Sequence, residues 1–371
     1  MKTSRIPILF AVNDLLVGGV QRLYLDLFRQ GFPGYEVHLL TFFRFPDKQE
    51  WFDTVPSDVV VHSFNFKNFR DVWGWVGVVR VLMRVRPGIV ISSLFFSNTV
   101  TRVLGFMLRI PVIAIEHNTY TEKTLNQQRV DRLLAHTSDC VVAVSKSVLE
   151  FTANQEQIPK KKFILIQNGI DLLTVDAAAR VVNPAATRTA LGLKSQERLI
   201  IAVGRLTAQK NHRSLIEGFV LFHKTHPEYL LAIAGEGSLK KMLQKLISTR
   251  KADMYIRLLG TRHDVIALFR ASDFFVSTSH IEGFPLAHAE ALRSGLPVLT
   301  TRTAGADEMI IEGENGLFLD ASSPERVAEG FKRMLTTIFL DPAHITASVE
   351  RFSITATAAA YRKLIADAIA V

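Results

Sequence analysis

Short apolar runs recur along the whole chain and alternate with stretches in which apolar residues return every three or four positions. The runs are apolar almost throughout rather than at every second position, which is typical of strands buried on both faces of a parallel sheet. Helices between the strands would cover those faces. The runs predicted to be strands lie at 6–12, 37–41, 59–64, 89–92, 112–116, 141–144, 163–166, 199–203, 230–234, 256–259, 274–277, 298–301 and 317–319.

The predicted strands form two series, and a chain of 371 residues is longer than one ordinary core. We therefore predict an α/β protein with two Rossmann-like, doubly wound domains. The turn signal Asn168-Gly169 and the lack of a strand pattern at 171–197 predict a linker there. The predicted domains are 1–175 and 190–349, and the final stretch, 350–371, has the periodicity of a helix.

The composition is that of a soluble globular protein with a large core, because 48% of the residues are hydrophobic and 21% are charged. That balance excludes a disordered or fibrous chain. The single cysteine, Cys140, rules out a disulfide framework and a cysteine-based zinc site. It lies in an apolar run, so we interpret it as a small buried hydrophobe rather than a nucleophile.

No uncharged apolar window of about 18 residues occurs, so no transmembrane helix is predicted. The nearest candidate, 72–91, is interrupted by Arg80, Arg84 and Arg86. The first apolar run is too short for a signal peptide. We therefore expect a cytoplasmic protein.

The net charge of +9 indicates an anionic partner. Nucleic acid is not favoured, because the basic residues are scattered and no nucleic-acid-binding motif occurs. An anionic membrane surface and a phosphorylated substrate both fit better, and the charge alone does not decide between them.

Two glycines, Gly18 and Gly19, follow the first predicted strand and precede a helix. Glycine lets the backbone approach a ligand, and a helix N-terminus offers free N–H groups to an anion. The spacing is not that of a nicotinamide-binding G-x-G-x-x-G loop. A tight strand-to-helix turn explains the two glycines equally well.

A second strand-to-helix loop, VGRLTAQKN at 203–211, carries Arg205 and Lys210. Ligands of open α/β sheets bind at the carboxyl ends of the strands, where this loop is expected. Two cations beside a helix N-terminus suit a diphosphate leaving group, because negative charge builds up on it as its bond breaks. The competing interpretation is a pair of solvated surface cations.

The most specific motif is SHIEGFPLAHAEA at 279–291, in which Glu282 and Glu290 are separated by seven residues. The segment Gly283-Phe284-Pro285 is predicted to form a turn with exposed backbone amides. Glu290 is expected in the following helix, among alanines, where an unpaired carboxylate would be costly. The motif can therefore present amides and one carboxylate to sugar hydroxyls and a second carboxylate to ribose hydroxyls, and solvent exposure is the alternative for Glu290.

Eight segments occur in a fixed order: GGVQ, IEHNTY, VSKS, IQNGID, VGRLTAQKN, AGEGSL, SHIEGFPLAHAEALRSGLPV and ENGLFL. In this order they resemble the family 4 glycosyltransferases across nearly the whole chain. The resemblance implies the GT-B fold, in which two Rossmann-like domains face a central cleft and a C-terminal helix packs back on the first domain. It also implies retaining transfer from a UDP- or GDP-sugar, with no cofactor and no divalent metal.

The resemblance gives roles to residues of the second domain. Arg205 and Lys210 match the cationic pair on the donor diphosphate, and Glu290 matches the carboxylate that binds the ribose. Glu282 matches the carboxylate beside the donor sugar, together with the amides of the turn Gly283-Phe284-Pro285.

In the first domain, His117 matches the histidine that closes on the sugar, and Gly19 matches the glycine loop that approaches the phosphates and the acceptor. Two positions depart from the family pattern. Gln21 stands where glutamate is frequent, which leaves the identity of the acceptor open. Ala304 precedes Gly305 where a second glycine is frequent.

The resulting hypothesis is a metal-independent, retaining hexosyltransferase that acts by same-face displacement on a lipid-linked cell-envelope glycan, with an undecaprenyl-linked acceptor favoured. Two alternatives stay open: a nucleotide-sugar epimerase of the same architecture and a non-catalytic subunit of a glycosyltransferase complex. Such a subunit would be expected to lack one of the matched cations or carboxylates, and all four are present.

Aromatic and basic residues are interleaved at 64–70, 72–86 and 102–109. This mixture is typical of interfacial segments, in which aromatic rings lie at the headgroup level and cations face anionic lipid. An ordinary buried helix is an equally good interpretation of 76–85. We predict peripheral attachment to an anionic membrane surface, on the inner face of the plasma membrane.

Overall fold

The computed structural model describes residues 5–67 and 70–370. The chain divides into two compact units. The first comprises the described residues up to Gly169 together with those from Ile354 onward, and the second is Ile170–Ser353. Within the described ranges, no helix combines the length and the apolar character needed to cross a lipid bilayer.

The first unit contains a seven-stranded parallel sheet. Its strands are β1 (Ile6–Val12), β2 (Tyr35–Thr41), β3 (Val60–Ser63), β4 (Ile89–Ser93), β5 (Val112–Glu116), β6 (Cys140–Ala143) and β7 (Phe163–Leu165). Its first helices are α1 (Gly19–Gln30), α2 (Val72–Val85), α3 (Phe95–Leu108), α4 (Leu125–Ala135) and α5 (Lys146–Glu156). The strand order is β3-β2-β1-β4-β5-β6-β7, so the winding direction reverses between β1 and β4. Loops at such a reversal are where Rossmann-like sheets bind ligands.

The second unit contains a six-stranded parallel sheet in the order β10-β9-β8-β11-β12-β13. Its strands are β8 (Arg198–Val203), β9 (Tyr229–Ala234), β10 (Ile256–Gly260), β11 (Phe274–Ser277), β12 (Val298–Thr301) and β13 (Gly316–Leu319). Its helices are α6 (Leu172–Val181), α7 (Pro184–Ala190), α8 (His212–His223), α9 (Lys240–Thr249), α10 (Val265–Ala271), α11 (Leu286–Arg293), α12 (Ala306–Met309), α13 (Pro324–Thr336) and α14 (Pro342–Ala347). The reversal here lies between β8 and β11. The loops after these two strands are therefore the expected ligand loops.

Helix α15 (Ile354–Ile369) completes the first unit and packs on α1. Tyr361 is fully buried. Arg362 donates hydrogen bonds to the carbonyl oxygens of Gly31 and Gln30, both at 3.0 Å, just where α1 ends. Single-turn 3₁₀ helices occur at Phe52–Thr54, Lys160–Lys162, Ala208–Lys210 and Glu350–Phe352.

Each run predicted to be a strand forms one, and the predicted fold class of two Rossmann-like α/β domains is confirmed. The central strands match the expectation of burial on both faces, since every residue of β4 and β5 is buried. The edge strands β3 and β7 of the first sheet do not, because each has a neighbouring strand on one side only. Val60 of β3 and Leu165 of β7 are 41% and 44% exposed.

The segment predicted to be a linker, 171–197, is folded within the second unit. It contains α6 and α7, and Asp171 caps the first turn of α6 by accepting a hydrogen bond from the Thr174 amide. Arg293 of α11 holds α6 in place through a bidentate ion pair with Asp176, at 2.6 and 2.7 Å. The segment has no strand pattern because it is helical and alanine-rich.

Cys140 begins β6 and is 8% exposed. Burial, followed by the nearby Asp139 carboxylate, raises the pKa of its thiol to about 12. The interpretation of this residue as a buried hydrophobe is confirmed.

Helix α2, at the centre of the predicted membrane-binding region, is partly an ordinary packed helix. Val78 and Leu82 belong to the core of the first unit. The opposite side is exposed to solvent: Trp73 is 80% exposed and Val72 is 66% exposed. The buried-helix interpretation of 76–85 therefore holds for Val78 and Leu82, and the membrane-binding interpretation stays a prediction.

The stretches on either side of α2 also divide between core and surface. Phe66 and Arg102 were grouped with the predicted membrane-binding residues, but both are buried and belong to the interior of the first unit. Phe106 and Met107, near the end of α3, are 68% and 69% exposed. Phe69 lies outside the described residues.

Candidate functional site

The two strongest motifs of the second unit meet at one edge of its sheet. Because β8 and β11 are neighbours, the loops that follow them, 204–211 and 278–285, begin side by side at the carboxyl ends of the strands. The Nζ atom of Lys210 donates a hydrogen bond to Oε1 of Glu282, although 72 positions separate them in the sequence. The structure thus joins a cation and a carboxylate that were predicted from separate motifs.

Glu282 is only 8% exposed, and its Oε1 also accepts a hydrogen bond from Oγ of Ser279 at 2.7 Å. Burial alone would raise the pKa of Glu282. The Lys210 ammonium and the two hydrogen bonds outweigh burial and hold the pKa below its ordinary value. Glu282 is therefore ionised at neutral pH and acts only as a hydrogen-bond acceptor.

The loops that carry this pair are also joined by further hydrogen bonds. The side chain of Gln209 donates to the carbonyl of Ile281 at 2.8 Å, and the amide of His280 donates to the carbonyl of Gln209 at 2.8 Å. The hydroxyl of Thr278 donates to the carbonyl of Asn211 at 3.0 Å. Lys210 and Glu282 are therefore held on a preorganised framework, as a binding site requires.

Two supporting residues were not identified from the sequence. Thr301, at the end of β12, donates from its hydroxyl to the carbonyl of Ser279 at 2.5 Å. The imidazole of His288 lies 2.8 Å from the hydroxyl of Thr300, and burial lowers the pKa of His288 to about 3, so this ring is neutral. Ser279 and His288 both lie within the 279–291 motif, whereas Thr301 lies outside it.

The turn Gly283-Phe284-Pro285 is buried, whereas exposed amides were predicted. The Phe284 ring packs edge-on against Phe352, with ring centroids 5.2 Å apart. Gly305, in the loop after β12, approaches the turn from another direction: a Cβ on Gly305 would lie 2.6 Å from the Gly283 oxygen and 2.8 Å from Cδ of Pro285. Only glycine permits this approach.

Gly305→Ala is expected to raise the KM for the ligand bound at the Gly283-Phe284-Pro285 turn about tenfold. The added methyl must displace this turn, and overpacking costs about 1–3 kcal/mol. Steady-state kinetics at varied ligand concentration measures the effect. The control is Gly330→Ala in α13, where the new Cβ would lie 3.0 Å from Cβ of Leu319. That variant should alter stability and leave KM unchanged, and an equal KM in both variants would contradict the role of Gly305.

Arg205 and Glu290 lie outside the Lys210–Glu282 pair. Arg205 is exposed, and no described residue forms an ion pair with its guanidinium. Glu290 is half-buried on α11.

In the 204–211 loop, the hydroxyl of Thr207 and the amide nitrogen of Asn211 are buried and find no hydrogen-bond partner among the described residues. Such unsatisfied polar atoms are rare in folded proteins, and a ligand or an ordered water would satisfy them.

His117, in the first unit, directly follows β5 and is 8% exposed. Its Nε2 lies 2.8 Å from the hydroxyl of Ser93, which in turn lies 2.7 Å from the hydroxyl of Tyr24. Burial lowers the pKa of His117 to about 3, so the ring is neutral at physiological pH. Tyr24 and Ser93 were not singled out in the sequence, because neither lies near His117 along the chain.

Gly19 is the exposed first residue of α1. At the preceding Gly18, a Cβ would lie 2.6 Å from Oε1 of Gln21, so a larger residue there would have to displace the end of that side chain. The side-chain amide of Gln21 donates to Oδ1 of Asp14 at 3.1 Å. Gln21, the departure from the family pattern, thus stabilises its own loop.

A buried ionic cluster lies beneath the loop that begins with His117. Lys123, in that loop, places its Nζ 2.9 Å from Asp131, 2.5 Å from Glu156 and 3.6 Å from Glu116. Arg102 pairs with Asp131 at 2.9 Å. All five side chains are at most 7% exposed.

The ionic cluster holds two cations and three carboxylates. Burial raises the pKa of Glu116, and burial together with the charge of Glu116 raises the pKa of Glu156 to about 7. Burial alone would lower the pKa of Lys123, but the surrounding carboxylates raise it. Because Glu116 and Lys123 flank residues 117–122, the cluster fixes both ends of the loop that carries His117.

Among the described residues, no group of three histidine, cysteine, aspartate or glutamate side chains is arranged to hold a metal ion.

Two family models match the chain. The model described as Glycosyltransferase Family 4 matches residues 17–172, and the model described as Glycosyl transferases group 1 matches residues 185–338. The chain belongs to the family 4 glycosyltransferases.

Relatives of this glycosyltransferase include enzymes named for lipid products or substrates. It is 27% identical over 333 residues to alpha-monoglucosyldiacylglycerol synthase of Acholeplasma laidlawii, covering 82% of each chain. It is also 27% identical over 252 residues to N-acetylgalactosamine-N,N'-diacetylbacillosaminyl-diphospho-undecaprenol 4-alpha-N-acetylgalactosaminyltransferase of Campylobacter jejuni. That match covers 67% of the glycosyltransferase and 65% of the relative.

Solved structures confirm the GT-B fold. The glycosyltransferase superposes on Anabaena Alr3699/HepE, solved in complex with UDP and glucose, with a TM-score of 0.82 at 18% identity. The superposition covers 98% of this chain and 100% of the other.

Proposed function

We propose that the chain is a retaining glycosyltransferase that moves a sugar from a UDP- or GDP-sugar to a hydroxyl of a lipid-linked cell-envelope glycan, without a divalent metal. The glycan would be of the lipopolysaccharide O-antigen, capsule or exopolysaccharide type. The observation that carries the proposal is the Lys210–Glu282 pair at the carboxyl edge of the second sheet. Both residues come from the loops at the strand-order reversal, where such sheets bind nucleotides.

In the proposed donor complex, the cations neutralise the diphosphate. The Arg205 guanidinium breaks no ion pair among the described residues when it binds a phosphate, and the Lys210 ammonium bridges the diphosphate and Glu282. Charge that develops on the leaving group is then stabilised by donors already in place. Glu290, on the helix α11 that follows the 278–285 loop, accepts hydrogen bonds from the ribose hydroxyls.

The sugar is oriented by Glu282 and His117. Glu282 is ionised and accepts a hydrogen bond from a sugar hydroxyl. His117 is neutral, and its Nε2 is engaged with Ser93, so the contact with the sugar falls to Nδ1. Transfer takes place on the same face of the sugar, and the departing diphosphate helps to deprotonate the acceptor hydroxyl.

The acceptor is proposed to be lipid-borne, and an undecaprenyl-linked glycan is favoured. One relative is named for a glucosyl-diacylglycerol and another for a diphospho-undecaprenol-linked sugar. Trp73, Phe106 and Met107 are exposed apolar side chains in the first unit, and the exposed Arg109 lies beside the last two. This combination suits peripheral attachment to an anionic membrane.

The proposal is tested with a panel of UDP- and GDP-sugars and an undecaprenyl-linked acceptor, following the release of nucleoside diphosphate. We expect one donor to support transfer, an unchanged rate in EDTA, and an α-linked product from an α-linked donor by NMR. A β-linked product would contradict retention, and loss of activity in EDTA would contradict metal independence. Conversion of the donor without any acceptor would instead identify an epimerase.

A further inference from the structure

A cavity of about 520 Å³ lies in the first unit between strands β1, β2 and β3 and the second half of α2. Its walls include Pro7, Glu36 and Val60, which stand at or near the first positions of β1, β2 and β3, and the second half of α2. The volume lies within the range of small-molecule sites, about 300–1,000 Å³. The cavity is lined by none of the residues proposed to act in sugar transfer, so it is separate from the proposed transfer site.

Two arginines line this cavity. Arg80 and Arg84 are one turn apart on α2, and both are exposed. Two like charges at this spacing destabilise a helix slightly. No described residue forms an ion pair with either guanidinium, so both remain available to an anion. Paired guanidinium groups match the geometry of a phosphate.

Two histidines from neighbouring strands also line the cavity. Nδ1 of His38 lies 3.0 Å from Nε2 of His62, and the rings stack with centroids 5.3 Å apart. Burial lowers the pKa of both rings, and for His62 the Arg84 charge lowers it further. The neutral pair shares one internal hydrogen bond and can offer a second N–H to a ligand.

Glu36 is the acidic residue of the cavity wall. Its side chain is 50% exposed, and its carboxylate lies 3.6 Å from Nε2 of His38 rather than beside either arginine. The charged and titratable groups that face the cavity are therefore two arginines, two histidines and one glutamate. Their net charge at neutral pH is positive.

We propose that this cavity binds a phosphate group, held by Arg80 and Arg84 and oriented by the His38–His62 pair. The same chemistry occurs in the headgroup of an anionic phospholipid and in a soluble phosphate ester. The exposed Trp73 and Met83 lie on the same helix as the two arginines, which favours the lipid headgroup. The site does not depend on the proposed transferase activity.

The first experiment uses the intact protein and glycerol 3-phosphate. Histidine-ring NMR should show that the His38 and His62 signals move on titration and that the pKa of His62 rises, because a bound phosphate favours the charged ring. The double variant Arg80→Gln/Arg84→Gln should lose this response. The control Arg129→Gln/Arg132→Gln removes two exposed charges from α4 of the same unit and should keep it.

The second experiment distinguishes the two sources of phosphate. Sedimentation with phosphatidylcholine vesicles containing phosphatidylglycerol should show binding at least tenfold weaker for the Arg80/Arg84 variant than for the Arg129/Arg132 control. If the two variants sediment equally but only the first loses its glycerol 3-phosphate response, the ligand is a soluble ester. The proposal would be overturned if the His38 and His62 signals changed with neither glycerol 3-phosphate nor the vesicles. It would also be overturned if they changed equally in the Arg80/Arg84 variant and the wild type.

Discussion

Lys210→Ala is expected to lower the rate of sugar transfer about a hundredfold to a thousandfold, because one preorganised electrostatic contact to a developing charge is worth about 10²–10³ in kcat. The same change leaves the buried Glu282 carboxylate without its cation, so donor binding suffers as well. Release of nucleoside diphosphate, measured with saturating donor and acceptor, reports the effect. Near-normal turnover would show that the assignment of Lys210 is wrong.

The matched control for this variant is Lys240→Ala. Lys240 also forms an ion pair with a glutamate, Glu236, at 2.6 Å, but both side chains are more than 40% exposed. Exposed pairs of this kind contribute at most about 1 kcal/mol, so activity should be unchanged. The double variant Lys210→Met/Glu282→Gln separates folding from catalysis: it removes the unpaired charge and should regain stability, but it should remain inactive.

Much of this fold was predictable because parallel sheets impose a simple pattern. A strand covered by helices on both faces is apolar almost throughout, as β6 is, and such runs are visible in any sequence. The pattern does not show which strands lie at an edge. Val60 and Val61 of β3 have the composition of a central strand, yet they are exposed because β3 has a neighbour on one side only.

The predictable part of the candidate site is the part that is local in sequence. Lys210 and Glu282 each lie in a recognisable motif. Their hydrogen bond was not predicted, because it depends on β8 and β11 being neighbours. Gly305 is a similar case: the sequence shows a glycine, but only the packing of its backbone against Gly283 shows why it is needed.

For Arg102, by contrast, the sequence pattern predicted a position that the structure shows to be wrong. Its neighbours Phe106 and Arg109 suggested an interfacial segment, and the pattern placed Arg102 with them. In the folded chain Arg102 faces inward and pairs with Asp131, which is 29 positions away on another helix. A buried arginine has no local signature, since its partner can lie anywhere along the chain.

Lys123→Met is expected to lower the free energy of unfolding of the first unit by about 3–5 kcal/mol, because it leaves three buried carboxylates facing a single cation. The single cysteine provides a measurement specific to this unit. Cys140 is buried in β6, so its reaction with a thiol reagent in increasing urea reports the unfolding of the first unit alone. The variant should react at a lower urea concentration than the wild type.

Two further variants test whether charge is the cause. Lys161→Met removes an exposed lysine from the same unit and should change stability by less than about 0.5 kcal/mol. Lys123→Met/Glu156→Gln removes one carboxylate together with the lysine and should regain part of the loss, since less uncompensated charge stays buried. If the double variant is no more stable than Lys123→Met alone, the loss comes from packing, and the cluster does not hold the His117 loop through its charges.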